Sequence, residues 1–221
     1  MTAGFGAFGK LPAMGDFLRL TLPAEVVQPW DAWLQDTLPA ARASLGERWS
    51  DAYMSAPIWR FTLPAGQAGP RPLLGVLMAS VDRVGRQFPL TLAAPLAPVP
   101  ASLAHFANDA LFARLEEIAL AALEDDMTRD RLSEALAALI PPAPVAGDIA
   151  PHRYRGALPP QAALAAEAIL RAEGDVALWS MASPDEHRLL TCAHLPDAAT
   201  LASVFDLDAG VWAAGPKAIP A

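Results

Sequence analysis

Two short polar stretches break into apolar sequence and hold the residues best placed to do chemistry: Phe8-Gly9-Lys10-Leu11-Pro12-Ala13-Met14-Gly15-Asp16-Phe17 and Ser80-Val81-Asp82-Arg83-Val84-Gly85-Arg86-Gln87-Phe88-Pro89-Leu90. Polar groups set between buried strands are costly unless each finds a partner. Lys10, Asp16, Asp82 and Arg86 carry two charges of each sign and could form a neutral cluster, with Gly9, Gly15 and Gly85 supplying sharp bends. Two readings stand. The charges are an internal ion-pair network that fixes the N-terminal loop against the strand ends, or some of them are exposed in a groove and recognise a partner. Ser80 and Asp82 share a face if the strand runs that far, which suggests a hydroxyl–carboxylate hydrogen bond; no histidine is near in sequence to complete a triad. The enzymatic rival is a hydrolase or phosphate-binding protein using Lys10, Asp82 and Arg86.

Other constellations are weaker. Gly4-Phe5-Gly6-Ala7-Phe8-Gly9 is formally G-x-G-x-x-G, but that fingerprint follows a strand and opens a helix, and here Pro12 comes after it. A glycine-rich edge strand is the expected structure. Cys192 and His194 would share one strand face as a thiol beside a base, with no orienting carboxylate; a small buried hydrophobe is the commoner role of a lone cysteine. His105 and Asp109 lie one helical turn apart and could supply two metal ligands, but no third is identifiable. His152-Arg153-Tyr154-Arg155 is a basic island, either an anion-binding patch or a solvated loop. Glu116-Glu117 and Glu124-Asp125-Asp126 read as a solvated helix face.

The elements that must position these residues follow from periodicity. Val26, Val27, Trp30, Trp33, Leu34, Thr37, Leu38 and Leu45 predict an amphipathic helix over 24–46, with Pro29 and Pro39 as the points where it could kink or break. Residues 58–63 alternate as a half-buried strand, and Leu73 to Ala79 reads as a central strand covered on both faces. Pro64 to Pro70 is too short for a helical crossover, so these two strands should be antiparallel neighbours. A third strand is expected at 88–94, then one helix from Ala101 to Glu124 capped by Ser102, and a shorter helix over 129–139. Pro141-Pro142-Ala143-Pro144 is the best boundary, separating residues 1–140 from a smaller segment, 145–221, packed on the same domain. That segment should hold a helix at 161–172, strands at 175–181 and 188–193, and a helix from an Asp197 cap to Phe205. The fold class is α/β: a mostly antiparallel or mixed sheet flanked by helices on both faces, a three-layer sandwich.

With 16 Lys+Arg against 24 Asp+Glu, the 221-residue chain carries a net charge of −8, and no basic run could neutralise a phosphate track, so nucleic acid is not an expected partner. A single cysteine excludes an intramolecular disulfide. The residues after Met1 lack the basic and apolar regions of a signal peptide, and no apolar stretch approaches the roughly 18 residues of a membrane span, so a cytoplasmic location without membrane insertion is expected.

Read as F-G-K-L-P-x-x-G-D-F and S-V-D-x-V-G-R-x-F-P-L, the two opening motifs resemble those of the TagF family, also called ImpM, accessory proteins of bacterial type VI secretion systems. The resemblance continues through Trp30-Asp31-Ala32-Trp33-Leu34, Ala56-Pro57-Ile58-Trp59-Arg60-Phe61 and Gly75-Val76-Leu77-Met78, dense over residues 5–95, and is thinner through Leu178-Trp179-Ser180 and Leu195-Pro196. Ala79 stands where the family usually has proline and Gln87 where it has an aromatic; the charged positions match. The resemblance implies a non-enzymatic protein with no catalytic residues, metal or cofactor. It implies a post-translational repressor of secretion acting through a cytoplasmic scaffold protein with a forkhead-associated domain; a structural component of the apparatus is the rival reading.

Overall fold

In the computed structural model, which describes residues 4–142, 147–150, 153–156, 158–184 and 186–213, the strands are β1 (Gly6–Gly9), β2 (Leu18–Leu20), β3 (Trp59–Leu63), β4 (Leu73–Met78), β5 (Leu90–Pro95), β6 (Gly147–Ala150), β7 (Arg153–Gly156), β8 (Ala177–Ala182) and β9 (His187–Cys192). The helices are α1 (Ala24–Leu45), α2 (Trp49–Ser55), α3 (Ala101–Ala107), α4 (Asp109–Ala121), α5 (Arg129–Ala137), α6 (Pro160–Glu173), α7 (Ala198–Phe205) and α8 (Gly210–Ala213). Seven strands form one sheet in the order β2-β1-β5-β4-β3-β8-β9, every neighbouring pair antiparallel, and β6 and β7 form a separate two-stranded sheet. The sheet is the middle of an α/β/α sandwich.

The two faces differ in chemistry. On one, α1, α2 and α7 pack Trp30, Trp33, Trp49, Tyr53 and Phe205 against Trp59, Phe61 and Trp179 of the sheet. Trp30 stacks on Phe61 with ring centroids 4.9 Å apart, and its indole donates to Thr91 Oγ1 at 2.9 Å. On the other, Leu74, Val76, Met78 and Leu92 meet Phe112, Leu115, Ile118, Leu132 and Leu136 of α4 and α5. This face is largely aliphatic. Leu73 to Met78 is buried on both faces, as a continuously apolar strand requires.

Several sequence expectations are corrected. Neither Pro29 nor Pro39 breaks α1; burial of Trp30, Trp33 and Leu34 outweighs the backbone bonds that each proline removes. The helix expected over 101–124 divides at Asn108, whose backbone (φ −122°, ψ 33°) leaves the helical region while its side chain donates to Ala104 O at 2.7 Å. Ser102 does not cap α3. The Ala101 N–H donates instead to Asp175 Oδ1 at 2.7 Å, and the buried Ser102 hydroxyl donates to Ala166 O in α6. β3 is covered on both sides rather than half-buried, and the glycine-rich β1 is an interior strand between β2 and β5, not an edge.

Candidate functional site

β4 and β5 are the arms of a long hairpin whose pairing continues beyond the strands proper: Phe88 N donates to Ser80 O and Asp82 N to Arg86 O, leaving Arg83, Val84 and Gly85 at the tip. Gly85 takes φ +81°, a conformation that favours glycine, as it donates back to Asp82 O at 2.8 Å. The loop between β1 and β2 lies against this tip. Arg83 N donates to Met14 O at 2.9 Å, Ser80 Oγ to Lys10 O at 2.8 Å and Arg86 Nη2 to Gly15 O at 2.8 Å. Gly9 is needed for the fit: its φ is +136°, and a Cβ there would run into Pro89 O. Gly15 is different, since a Cβ would meet only the Arg83 guanidinium at 3.6 Å.

Asp82 is the hub. Its carboxylate, fully covered, accepts from Val84 N (3.1 Å), Arg86 N (2.9 Å) and Arg86 Nε (2.6 Å) and pairs with Lys10 Nζ at 3.0 Å. Burial opposes its ionisation, but the bonds from the Arg86 backbone, Lys10, the Arg86 side chain and Val84 together hold the carboxyl well below the usual carboxylate range. Lys10 is buried, donates also to Arg86 O at 3.3 Å and lies 5.2 Å from the centre of the Phe17 ring. Beneath them Tyr53 OH donates to Ser80 O at 2.8 Å and accepts from Ser80 N, and burial pushes the phenol's pKa up.

The four-charge cluster therefore contracts to three. Asp16 is exposed with no partner among the described residues, and Ser80 bonds to Lys10 O rather than to Asp82. The cluster also has two sides. Asp82 and Lys10 face inward, while Arg86 is 63% exposed, Val84 70% and Phe17 52%, and the neighbouring Arg83 guanidinium has no partner among the described residues. Sequence reasoning passed over Arg83, Val84 and Phe17 as surface partners; the place of Arg83 and Val84 at a hairpin tip was the available signal. Gln87 accepts from the Trp49 indole at 2.6 Å.

A second polar cluster, assembled from β3, α3, α4 and β8, was not legible as a unit. Arg60 makes a bidentate pair with Glu116 (2.6 and 2.8 Å) and a third bond to Asp109 (2.6 Å). Glu116 is thus a partner of the sheet and not part of a solvated face. His105 lies beneath, its Nδ1 3.0 Å from Thr62 Oγ1 and its Nε2 2.8 Å from Ser180 Oγ. Burial, with the Arg60 charge added, pushes its pKa down to about 3, so it stays neutral at ordinary pH. Arg60, His105, Asp109 and Ser180 border an open cleft of about 480 Å³ that also includes Phe106, Met181 and Leu189. Ser180 and His105 have the spacing of a nucleophile and its base, yet the third member is a hydroxyl, and an imidazole this acidic is a poor proton acceptor.

The remaining candidates fall apart. Asp109 turns to Arg60 and His105 to the sheet, and no group of metal-binding residues occurs among the described residues. Cys192 packs against the aromatic face, where burial and the charges of Asp197 and Glu173 push its thiol up to about 11; His194 lies past the end of β9, exposed. His152 lies outside the described residues, while Arg153–Arg155 belong to β7, paired to β6. No helix among the described residues is long and apolar enough to cross a membrane.

Comparison with known proteins agrees with the motifs. No curated protein matches the chain. The crystal structure of PA0076 from Pseudomonas aeruginosa PAO1 is similar to it, with a TM-score of 0.75 and 32% sequence identity over 98% of this chain and 97% of that one. The model of the TagF N-terminal domain, type VI secretion system-associated, matches residues 6–139, a span that holds both motif loops and the Arg60 cluster except for Ser180. The chain belongs to the TagF N-terminal domain family of type VI secretion system-associated proteins.

Proposed function

We infer that this protein is a non-enzymatic, cytoplasmic regulator that represses type VI secretion after translation, by binding a scaffold protein that carries a forkhead-associated domain. The observation that carries the reading is the family match over residues 6–139, which contains the whole hairpin tip. Consistent with a binding role, the tip is rigid at its base and open at its surface. The Lys10–Asp82 pair and the Ser80–Tyr53 bonds fix the loops, while Phe17, Arg83, Val84 and Arg86 form an exposed apolar and cationic patch on a chain of net charge −8. Such a patch suits an acidic surface of the scaffold. Neither polar cluster pairs an activated nucleophile with a competent base, which supports the non-enzymatic part.

Overproduction in a secreting strain tests the reading. Effector release falls while transcripts of the secretion genes are unchanged, and the purified protein binds the purified scaffold directly. Unchanged release with the protein accumulating in soluble form contradicts repression; stoichiometric co-purification with the assembled apparatus points instead to a structural component.

A further inference from the structure

The two edges of the sheet are managed differently. β2 is three residues long, and Arg19 O, on that strand, accepts from Arg129 Nη2 at 3.0 Å. Short edges and side chains laid on edge carbonyls are ordinary protections against strand pairing. β9 has six residues, no proline and no strand beyond it among the described residues.

Which of its backbone groups are free follows from the hairpin. Ser183 N donates to Glu186 O, so these two are a hydrogen-bonded pair. Alternation along an antiparallel ladder then puts Arg188, Leu190 and Cys192 in hydrogen-bonded pairs with β8 and turns the N–H and C=O groups of His187, Leu189 and Thr191 outward. None of these outward groups has a backbone partner among the described residues. The side chains of the same three residues point to the face carrying the 480 Å³ cleft, where Leu189 is 45% exposed.

We propose that β9 is a homodimer interface, at which a second copy of this chain adds its own β9 antiparallel about a two-fold axis through Leu189. The strand is self-complementary in that register. Leu189 stands opposite its twin, His187 opposite Thr191 and Arg188 opposite Leu190, so no like charges face each other and the one exposed large apolar side chain of the strand is covered. The three outward residues of each copy then exchange six backbone hydrogen bonds. The cleft bordered by Arg60, His105 and Leu189 gains a second wall from the partner copy. This dimer does not depend on the function proposed above, since the hairpin tip and β9 belong to different parts of the sheet.

Sedimentation of the full chain over a wide concentration range tests it. The expected result is a reversible dimer, at twice the 23.3 kDa of the chain. Leu189→Lys, which sets two like charges against each other, weakens the dimer at least tenfold while the melting temperature extrapolated to the monomer is unchanged. Thr191→Pro removes only an outward N–H, which an edge strand tolerates, and has the same effect. Register is read by cross-linking in a Cys192→Ser background. Leu189→Cys forms an intermolecular disulfide on mild oxidation, since opposed residues in a hydrogen-bonded pair have Cα atoms about 5.5 Å apart, within disulfide reach. Leu190→Cys does not. A parent chain that is monomeric at every concentration overturns the proposal, and so does a dimer indifferent to Leu189→Lys; if Thr191→Pro does not fold, Leu189→Lys and the cross-link decide.

Discussion

The hairpin tip and the Arg60 cluster solve the same problem, charge next to an apolar sheet, in opposite ways. At the tip one buried carboxylate serves two cations, and everything depends on Asp82. Across the sheet one arginine serves two carboxylates, Glu116 and Asp109, so losing either acid leaves it paired. The first arrangement concentrates dependence on one residue and locks two loops that carry an exposed surface. The second distributes it and joins β3 to α4.

The largest effect expected follows from that contrast. Asp82→Ala strands a buried lysine and releases four donors, so its melting temperature falls further than that of Glu116→Ala or of any substitution at Arg86. Glu116→Ala leaves Arg60 bonded to the exposed Asp109 and costs about 1–2 kcal/mol by chemical denaturation. Equal losses in the two variants would erase the distinction between hub and shared cation.

Titration separates the clusters next. The folded pKa of His105 is lowered from 6.5 to about 3, so between those values the unfolded chain holds a proton that the folded chain does not. Stability therefore declines as pH falls through that window, by about 1 kcal/mol per pH unit, and His105→Asn flattens the slope. The Asp82 contribution is present above the ordinary carboxylate pKa and is lost only at more acid pH, as the carboxyl approaches its depressed folded value. A slope between pH 6.5 and about 4.5 that survives His105→Asn contradicts the assignment to His105.

The difference between the clusters is also a difference in legibility. Asp82 and Arg86 are four residues apart and the hairpin brings them together locally, so the charge pattern could be read directly, as could the antiparallel β3–β4 pair from its short connection. Asp16 shows the limit of that reading: its spacing resembles that of the others, but it lies where the loop has turned to solvent. The Arg60 cluster joins residues as far apart as His105 and Ser180, and Arg60 looks like the polar half of an alternating strand until α4 is known to cover it. The break in the 101–124 helix was hidden for a similar reason. Asn108 is a weak breaker by type, and only its bond to Ala104 O, with His105 drawn to the sheet and Asp109 to Arg60, fixes the turn there.

Arg86 sharpens the comparison at smaller scale. Being 63% exposed, it contributes less than a buried partner would. Arg86→Ala loses the bonds to Asp82 and Gly15 and costs about 1 kcal/mol, while Arg86→Lys costs less because the charge is kept without the planar fork. A loss of about 3 kcal/mol or more, the cost of breaking a fully buried pair, would mean that Arg86 is part of the hub and not of its surface.

The most direct test of the proposed division between buried hub and binding face is the double variant Arg83→Glu with Val84→Asp, measured for melting and for affinity to the purified forkhead-associated scaffold proposed as its partner. Neither side chain has a partner among the described residues, so stability should stay within about 0.5 kcal/mol of the parent. Scaffold affinity should fall at least tenfold, with the loss easing at high salt as screening weakens the introduced repulsion. A double variant that melts like the parent and binds like it contradicts a binding face at the hairpin tip.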